Sequence, residues 1–418
     1  MKKFKISKII SQTALLIIFG SIIFISCKED EKPGPPTINK VRLIDPETAD
    51  SAITQADPGT LVVIEGENFD GLLNVYFNNY NSTFNRVFIT NTNIIVRIPA
   101  ETPTAIIDPT VSNELKVVTE TGEATHTFVL SFPPPEILLI TNENALPGDT
   151  IYFLGNNLYF IEKIIFPGNI EATDYTVFER QGIILITVPD GVSEGGPVTI
   201  ETTYDIVESS MKFNDISGDD VICNFDDINS YIWGCQISSD NNAFPGARGS
   251  FAHLTTTNVP VGNYEWWGNN RVCFLDSINI IPEENMGDII SEYQLKFEMY
   301  VNEPWNTGSL SIILSNWDYR FLMRPWIVDG KRTDFVTNGW ITITVPLNEF
   351  LGSEGDGDPA ESLDDLFWEN GFGRIGFPFM NDGADPDNPE TEGIVLETLS
   401  IALDNIRLVN ISNLSTLK

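Results

Sequence analysis

Short β-branched and aromatic runs, separated by Gly, Asn and Pro, recur along the chain at strand length and turn spacing, which predicts an all-β protein. Two Pro-rich punctuations, Pro33–Pro36 and Pro133–Pro135, each precede a similar series of such runs. In the first, Pro58-Gly59 leads into Leu61–Phe69, then Val75–Phe77, Ile94–Pro99 and Thr125–Phe132. The second answers with Pro147-Gly148, Ile151–Leu158, Ile164–Phe166, Ile184–Pro189 and Glu208–Phe213. This is an internal repeat of two β-sandwiches, expected at 37–132 and 133–213, and neither copy carries a helical period. The remainder, 214–418, has strand patterns such as Tyr293–Tyr300 and Leu310–Leu314 and a turn at Asn338-Gly339, and is expected to form a third, jelly-roll-like β-sandwich.

The N-terminus reads differently. Lys2, Lys3, Lys5 and Lys8 form a basic head, the apolar run Ala14–Ile25 is short for a bilayer span, and Ser26-Cys27 follows. Residues 1–26 are therefore expected to be a lipoprotein signal peptide, with Cys27 as the lipidated residue. Residues 27–36 are an acidic and Pro-rich tether, beginning Lys28-Glu29-Asp30-Glu31.

A formal net charge of −35 argues against nucleic acid and anionic membrane surfaces, which require basic contacts. A neutral polymer remains compatible with it. After Cys27, three Cys remain (Cys223, Cys235 and Cys273), so at least one is unpaired; a Cys223–Cys235 bridge between neighbouring strands is one option, and buried thiols are the other. Without CxxC spacing they make no metal site. The acidic loops Asp356–Asp358 and Asp382–Asp387 read as solvated turns rather than calcium ligands, so no metal or other cofactor is assigned.

All eight Trp lie in the third region. Indole faces stack on the C–H surfaces of sugar rings, although Trp is also well buried on average. Trp340 begins an alternating strand and reads as core, and Trp233 and Trp368 sit among apolar neighbours, where core filling is the cheaper account. Trp266 and Trp267 are adjacent, and in a strand would face opposite sides, so one should face outward. Trp305 follows a Pro, and Asn316–Arg320 and Met323–Trp326 crowd aromatic and polar groups into a short stretch.

These motifs carry a resemblance. Pro58-Gly-Thr60, the (V/I)xGxN strand and the strand ending in V/I-Pro resemble IPT/TIG immunoglobulin-like domains. The Pro-Trp305, Asn316-Trp-Asp-Tyr-Arg320, Arg324-Pro-Trp326 and Asn338–Leu347 segments are similar to the C-terminal domain of Bacteroidota surface glycan-binding proteins. The resemblance implies a lipid-anchored, outward-facing outer-membrane protein. It would bind a β-linked plant-type polysaccharide such as xyloglucan, β-glucan or mannan and aid its capture beside a SusC/SusD-like transport pair, with the immunoglobulin-like domains as spacers. By motif position it implies an aromatic platform of Trp305 and Trp326, joined by Trp317 and Tyr319, with Arg324 and Asn316 as hydroxyl partners; Trp266 and Trp267 complete the expected site.

Two other classes compete with this reading. A surface adhesin binding protein partners through its immunoglobulin-like domains would not explain why every Trp lies in the last domain. A glycoside hydrolase needs a carboxylate pair at a set separation, which sequence does not supply. Gly191–Gly195 matches the GxSxG elbow in form only, since that elbow needs a strand-turn-helix, and His126 and His253 fall in separate predicted domains. The expectation is a binding protein and not an enzyme.

Overall fold

The computed structural model describes residues 34–48, 50–268, 270–276, 278–315, 317–383 and 388–412, so Cys27, the tether acids and Asn316 lie outside the described residues. The chain divides into two compact units at Pro133/Pro134.

In the first unit a three-stranded sheet (Thr37–Leu43, Leu61–Glu67, Asn93–Arg97) packs on a four-stranded one (Tyr80–Ser82, Leu72–Phe77, Glu114–Thr119, Gly122–Thr127). Alternate residues of both sheets, among them Val62, Ile64, Val75, Phe77, Ile94 and Val117, fill the space between them. The second unit opens with a copy of this sandwich. Its sheets are Glu136–Ile140, Thr150–Asn156, Ile183–Thr187 and Tyr175–Phe178, and Ile170–Glu171, Ile161–Phe166, Gly196–Thr202 and Ile206–Phe213.

The repeated GxN signature has a backbone cause. At Gly66 an added Cβ would fall 1.8 Å from the Thr37 carbonyl oxygen, and at Gly155 it would fall 2.0 Å from that of Glu136. In both copies the neighbouring strand is irregular there, between Ile38 and Lys40 and between Ile137 and Leu139, and the bulge presses its carbonyl against the glycine. Two residues later Asn68 (φ 62°) and Asn157 (φ 56°) are left-handed, a conformation Asn tolerates better than most side chains. Each donates from Nδ2 to a Pro carbonyl, Pro35 and Pro134, at 3.1 Å. The Pro-rich punctuation and the Asn are thus one closure motif.

The third sandwich packs a six-stranded antiparallel sheet on a five-stranded one. The first is built on Leu396–Asn410, flanked by Phe251–Val259 and Tyr293–Val301; the second runs Tyr231–Trp233, Val272–Leu275, Ile375–Met380, Ser309–Leu314 and Arg320–Met323. Their inner faces form one large core. Cys223, Cys235 and Cys273 all lie in that core as free thiols, so no bridge joins Cys223 to Cys235, and burial pushes the Cys223 and Cys273 thiols up.

The sandwiches of the second unit have separate cores but are locked together by a buried ion cluster. Glu143, from the loop after Glu136–Ile140, accepts from Lys296 Nζ and Arg407 Nη2, each at 2.6 Å, and Arg407 Nη1 also bonds Glu298 at 2.9 Å. Thr342 adds a donor to Glu298 (2.9 Å) and an acceptor for the Glu143 backbone N–H (2.8 Å). Burial alone would lower the Arg407 pKa, but Glu298 and Glu143 overturn that and hold the guanidinium charged above its usual range. Arg248 adds bonds to the Asn144 and Ala145 carbonyls, both 2.8 Å. The immunoglobulin-like sandwich beside the last domain is therefore built into it, rather than a hinged spacer.

Candidate functional site

The outer face of the five-stranded sheet carries an aromatic array. Strand alternation sends Cys273 and Leu275 into the core and Phe274 outward, and it does the same along Ile375–Met380, where Gly376, Pro378 and Met380 face out. Phe274 pairs with Gly376, where an added Cβ would come within 2.3 Å of Phe274 Cε1. The ring lies across a position that only glycine leaves open.

Phe274 is the floor of the array. Trp233 stacks on it (centroids 5.5 Å, planes 25° apart), and Trp317 lies 5.6 Å away at 35°. Trp266 bridges these two, 6.4 Å from Trp233 and 5.5 Å from Trp317, with planes within 37° and 34°. Trp267 stands nearly perpendicular to Trp266, at 83° and 5.5 Å. Trp233 and Trp317 are each 42% exposed and Trp267 58%, so the array is open to solvent.

Each ring is positioned by its element. Trp233 ends an edge strand paired with Val272–Leu275, and the irregularity between Tyr231 and Trp233 turns it onto the outer face. Trp266 and Trp267 lie in the connection before Val272–Leu275, which buried Arg271 gathers by donating to the Glu265 and Gly268 carbonyls and to Asn263 Oδ1. Trp317 follows Ser309–Leu314 in a turn whose carbonyl accepts from Arg320 Nε at 3.1 Å.

The array borders a cavity of about 880 Å³, whose lining includes Tyr264, Trp266, Trp267, Glu354 and Asp356. On its floor Arg320, Leu322 and Arg324 alternate outward, while Phe321 and Met323 pack on the core. Arg320 Nη2 pairs with Glu354 at 2.9 Å. Arg324 Nη2 pairs with Asp382 Oδ2, also at 2.9 Å, and Ser309 Oγ donates to the same oxygen at 2.8 Å.

The predicted residues therefore part company. Trp266, Trp267 and Trp317 meet in the array, and Arg324 lines the adjoining cavity. Trp305 and Trp326 do not: both are 0% exposed in the core, with their indole N–H groups donating to the Thr307 and Gly308 carbonyls at 2.9 and 2.8 Å. No ligand face remains on either ring, so the platform role inferred for them is corrected to a structural one. Tyr319 packs against the core cluster; desolvation, reinforced by Asp365 and Asp318, raises its phenol. Trp340 is buried against Phe244 and Phe251, as its strand pattern indicated. Trp233, read from sequence as core, belongs to the array, and Trp368 is exposed beneath Arg374 rather than buried. Sequence reasoning missed Phe274 and Asp382, the first hidden in an unbroken apolar run and the second in an acidic loop.

Two segments match family models: residues 213–410 match "Surface glycan-binding protein B xyloglucan binding domain" and residues 48–128 match "IPT/TIG domain". The chain is thus similar to a xyloglucan-binding domain model over its C-terminal sandwich and to an IPT/TIG model over its first one. A curated relative, an IPT/TIG domain-containing protein of Bacteroides ovatus, is 30% identical over 212 residues, 48% of this chain and 43% of the relative, so the match spans less than half that protein's length. The solved surface glycan-binding protein PbSGBP-B of Prevotella bryantii is similar in fold, with a TM-score of 0.62 at 20% identity, covering 90% of this chain and 99% of that one. An SGBP-B of Bacteroides uniformis, from a complex xyloglucan utilization locus, is 21% identical over 90% of this chain and 99% of its own, with a TM-score of 0.46.

Proposed function

We propose that this protein captures a β-linked plant-type polysaccharide, such as xyloglucan, β-glucan or mannan, at the cell surface, on the platform of Trp233, Trp266 and Trp317 above Phe274, with Trp267 as an upright wall. The observation that carries the reading is the cluster of three adjoining indoles, tilted by 37° and 34° to one another, on one solvent-facing sheet face, since sugar rings of an extended chain present C–H faces to exposed aromatic surfaces. Lipidation at Cys27, an outward-facing position in the outer membrane and delivery to a SusC/SusD-like pair fit this role. The model matched by residues 213–410 describes a glycan-binding domain, and the proposal includes no hydrolysis.

Covering roughly 100 Å² of exposed indole at about 25 cal/mol/Å² contributes at most about 2.5 kcal/mol. Trp317→Ala and Trp233→Ala should each weaken binding about tenfold or more, a loss of about 1.4 kcal/mol, with unfolding midpoints near the parent value. Affinity should change little between low and moderate salt, because stacking releases few counterions. Calorimetric titration of soluble protein with β-glucan, xyloglucan and β-mannan oligosaccharides checks this, and unchanged affinity in both folded variants would remove the platform from the function.

A further inference from the structure

We propose that Asp382, set by Arg324 and Ser309 at the base of the cavity beside the platform, reads a sugar hydroxyl and makes the site select neutral over anionic glycans. The inference rests on the platform reading and adds a specificity-determining residue to it. The cavity is continuous with the array, because Trp266 and Trp267 line both.

Arg324 and Asp382 make an incomplete pair. An arginine fork and a carboxylate commonly join through two parallel bonds, but here only Nη2 and Oδ2 meet, at 2.9 Å, and Oδ2 is also taken by Ser309. Arg324 Nε and Asp382 Oδ1 are both out of solvent and have no hydrogen-bond partner among the described residues. An unused donor and an unused acceptor thus lie, buried, on adjoining side chains that both line a ligand-sized space, an arrangement costly to leave unsatisfied.

The chemistry of these two atoms narrows what completes them. A hydroxyl carries both functions these atoms lack, a donor for Oδ1 and an acceptor for Nε, and meets them once the two side chains turn toward the cavity they line. A carboxylate offers only acceptors and would stand against Asp382. An ammonium offers only donors and would face the Arg324 guanidinium. The surrounding charge agrees: Arg320 and Arg324 are already paired with Glu354 and Asp382, and Asp356 leaves an acid in excess. The cavity therefore favours a neutral hydroxylated sugar and rejects a uronate.

The test compares a neutral xylogluco-oligosaccharide with a glucuronate-bearing xylo-oligosaccharide by calorimetric titration of the full soluble chain. In the parent the neutral ligand should bind at least tenfold more tightly. Asp382→Asn keeps the shape and removes the charge, and should weaken the neutral ligand at least fivefold while narrowing the neutral-to-uronate ratio by a similar factor. If that variant misfolds, Arg324→Gln carries the same expectation for the neutral ligand. Trp317→Ala serves as the platform control. Loss of affinity in Trp317→Ala with neither affinity nor ratio altered in the folded Asp382 or Arg324 variant overturns this inference alone. No loss in Trp317→Ala overturns the platform reading beneath it, and a parent that prefers the uronate overturns the selectivity.

Discussion

Replacing Glu143 with Ala removes the hub of the buried ion cluster that joins the two sandwiches of the second unit. Glu143 is 2% exposed and accepts from both Lys296 and Arg407 at 2.6 Å. Without it, Arg407 keeps Glu298 at 2.9 Å, but Lys296, itself buried, loses its ion pair. A charge left alone inside a protein costs far more than the intact pair contributes, and deleting one partner typically costs about 3–5 kcal/mol. For a unit of this size each kcal/mol moves the midpoint by about 2–3 °C, so the transition of the second unit should fall by roughly 6–15 °C. Because the cluster is also the seam between two cores, scanning calorimetry should show that transition separating into two. The cluster sits on the six-stranded sheet and the platform on the other, so glycan affinity below the first transition should stay within about twofold. A midpoint within about 2 °C of the parent, with no separation, would refute the idea that this cluster holds the two sandwiches together.

The remaining expectations follow from burial. Trp305→Ala and Trp326→Ala should cost about 3–5 kcal/mol of stability by opening cavities in the core, with affinity per folded molecule close to the parent; denaturant melts paired with calorimetric titration check both halves. Asp404, buried beside Glu298, has its carboxyl raised well above the usual range by desolvation. A raised folded-state pKa means the native chain holds a proton that the unfolded chain releases, so this group favours folding most at acid pH and costs stability as pH rises above the ordinary carboxylate value. Asp404→Asn keeps the Oδ1 acceptor for the Asn405 N–H and should raise the melting temperature at pH 7 more than at pH 4; equal shifts at both would show that Asp404 is not protonation-linked.

How much of this was legible in the chain depends on whether a residue is constrained by its own backbone or by distant packing. The repeat could be read because its signature residues answer local demands. Gly66 and Gly155 make room for a neighbouring carbonyl, and Asn68 and Asn157 take a left-handed turn and tie back to a Pro, so the same letters recur wherever the same bulge recurs. The confinement of Trp to the last domain was equally visible, but which rings face outward was not. Period-two alternation assigns faces only inside regular strands. Trp305 and Trp326 sit at the margins of strands after a Pro, and carbonyls at 307 and 308 accept their N–H groups inside the core. A loop rich in aromatic and polar letters thus looked like a binding surface while serving as a plug. Trp233 failed in the opposite sense, because its apolar neighbours suggested core whereas an irregularity at the sheet edge turns it outward. Phe274 was hidden because Val272–Leu275 is buried on both faces, one against the core and the other beneath the indoles, so no alternation survives in the letters. Asp382 meets Arg324 and Ser309 across 58 and 73 residues of chain, and no local pattern could have joined them. The binding face is thus assembled from edge irregularities, connections and long-range pairs, while the regular strands beneath it supply a flat and rigid support.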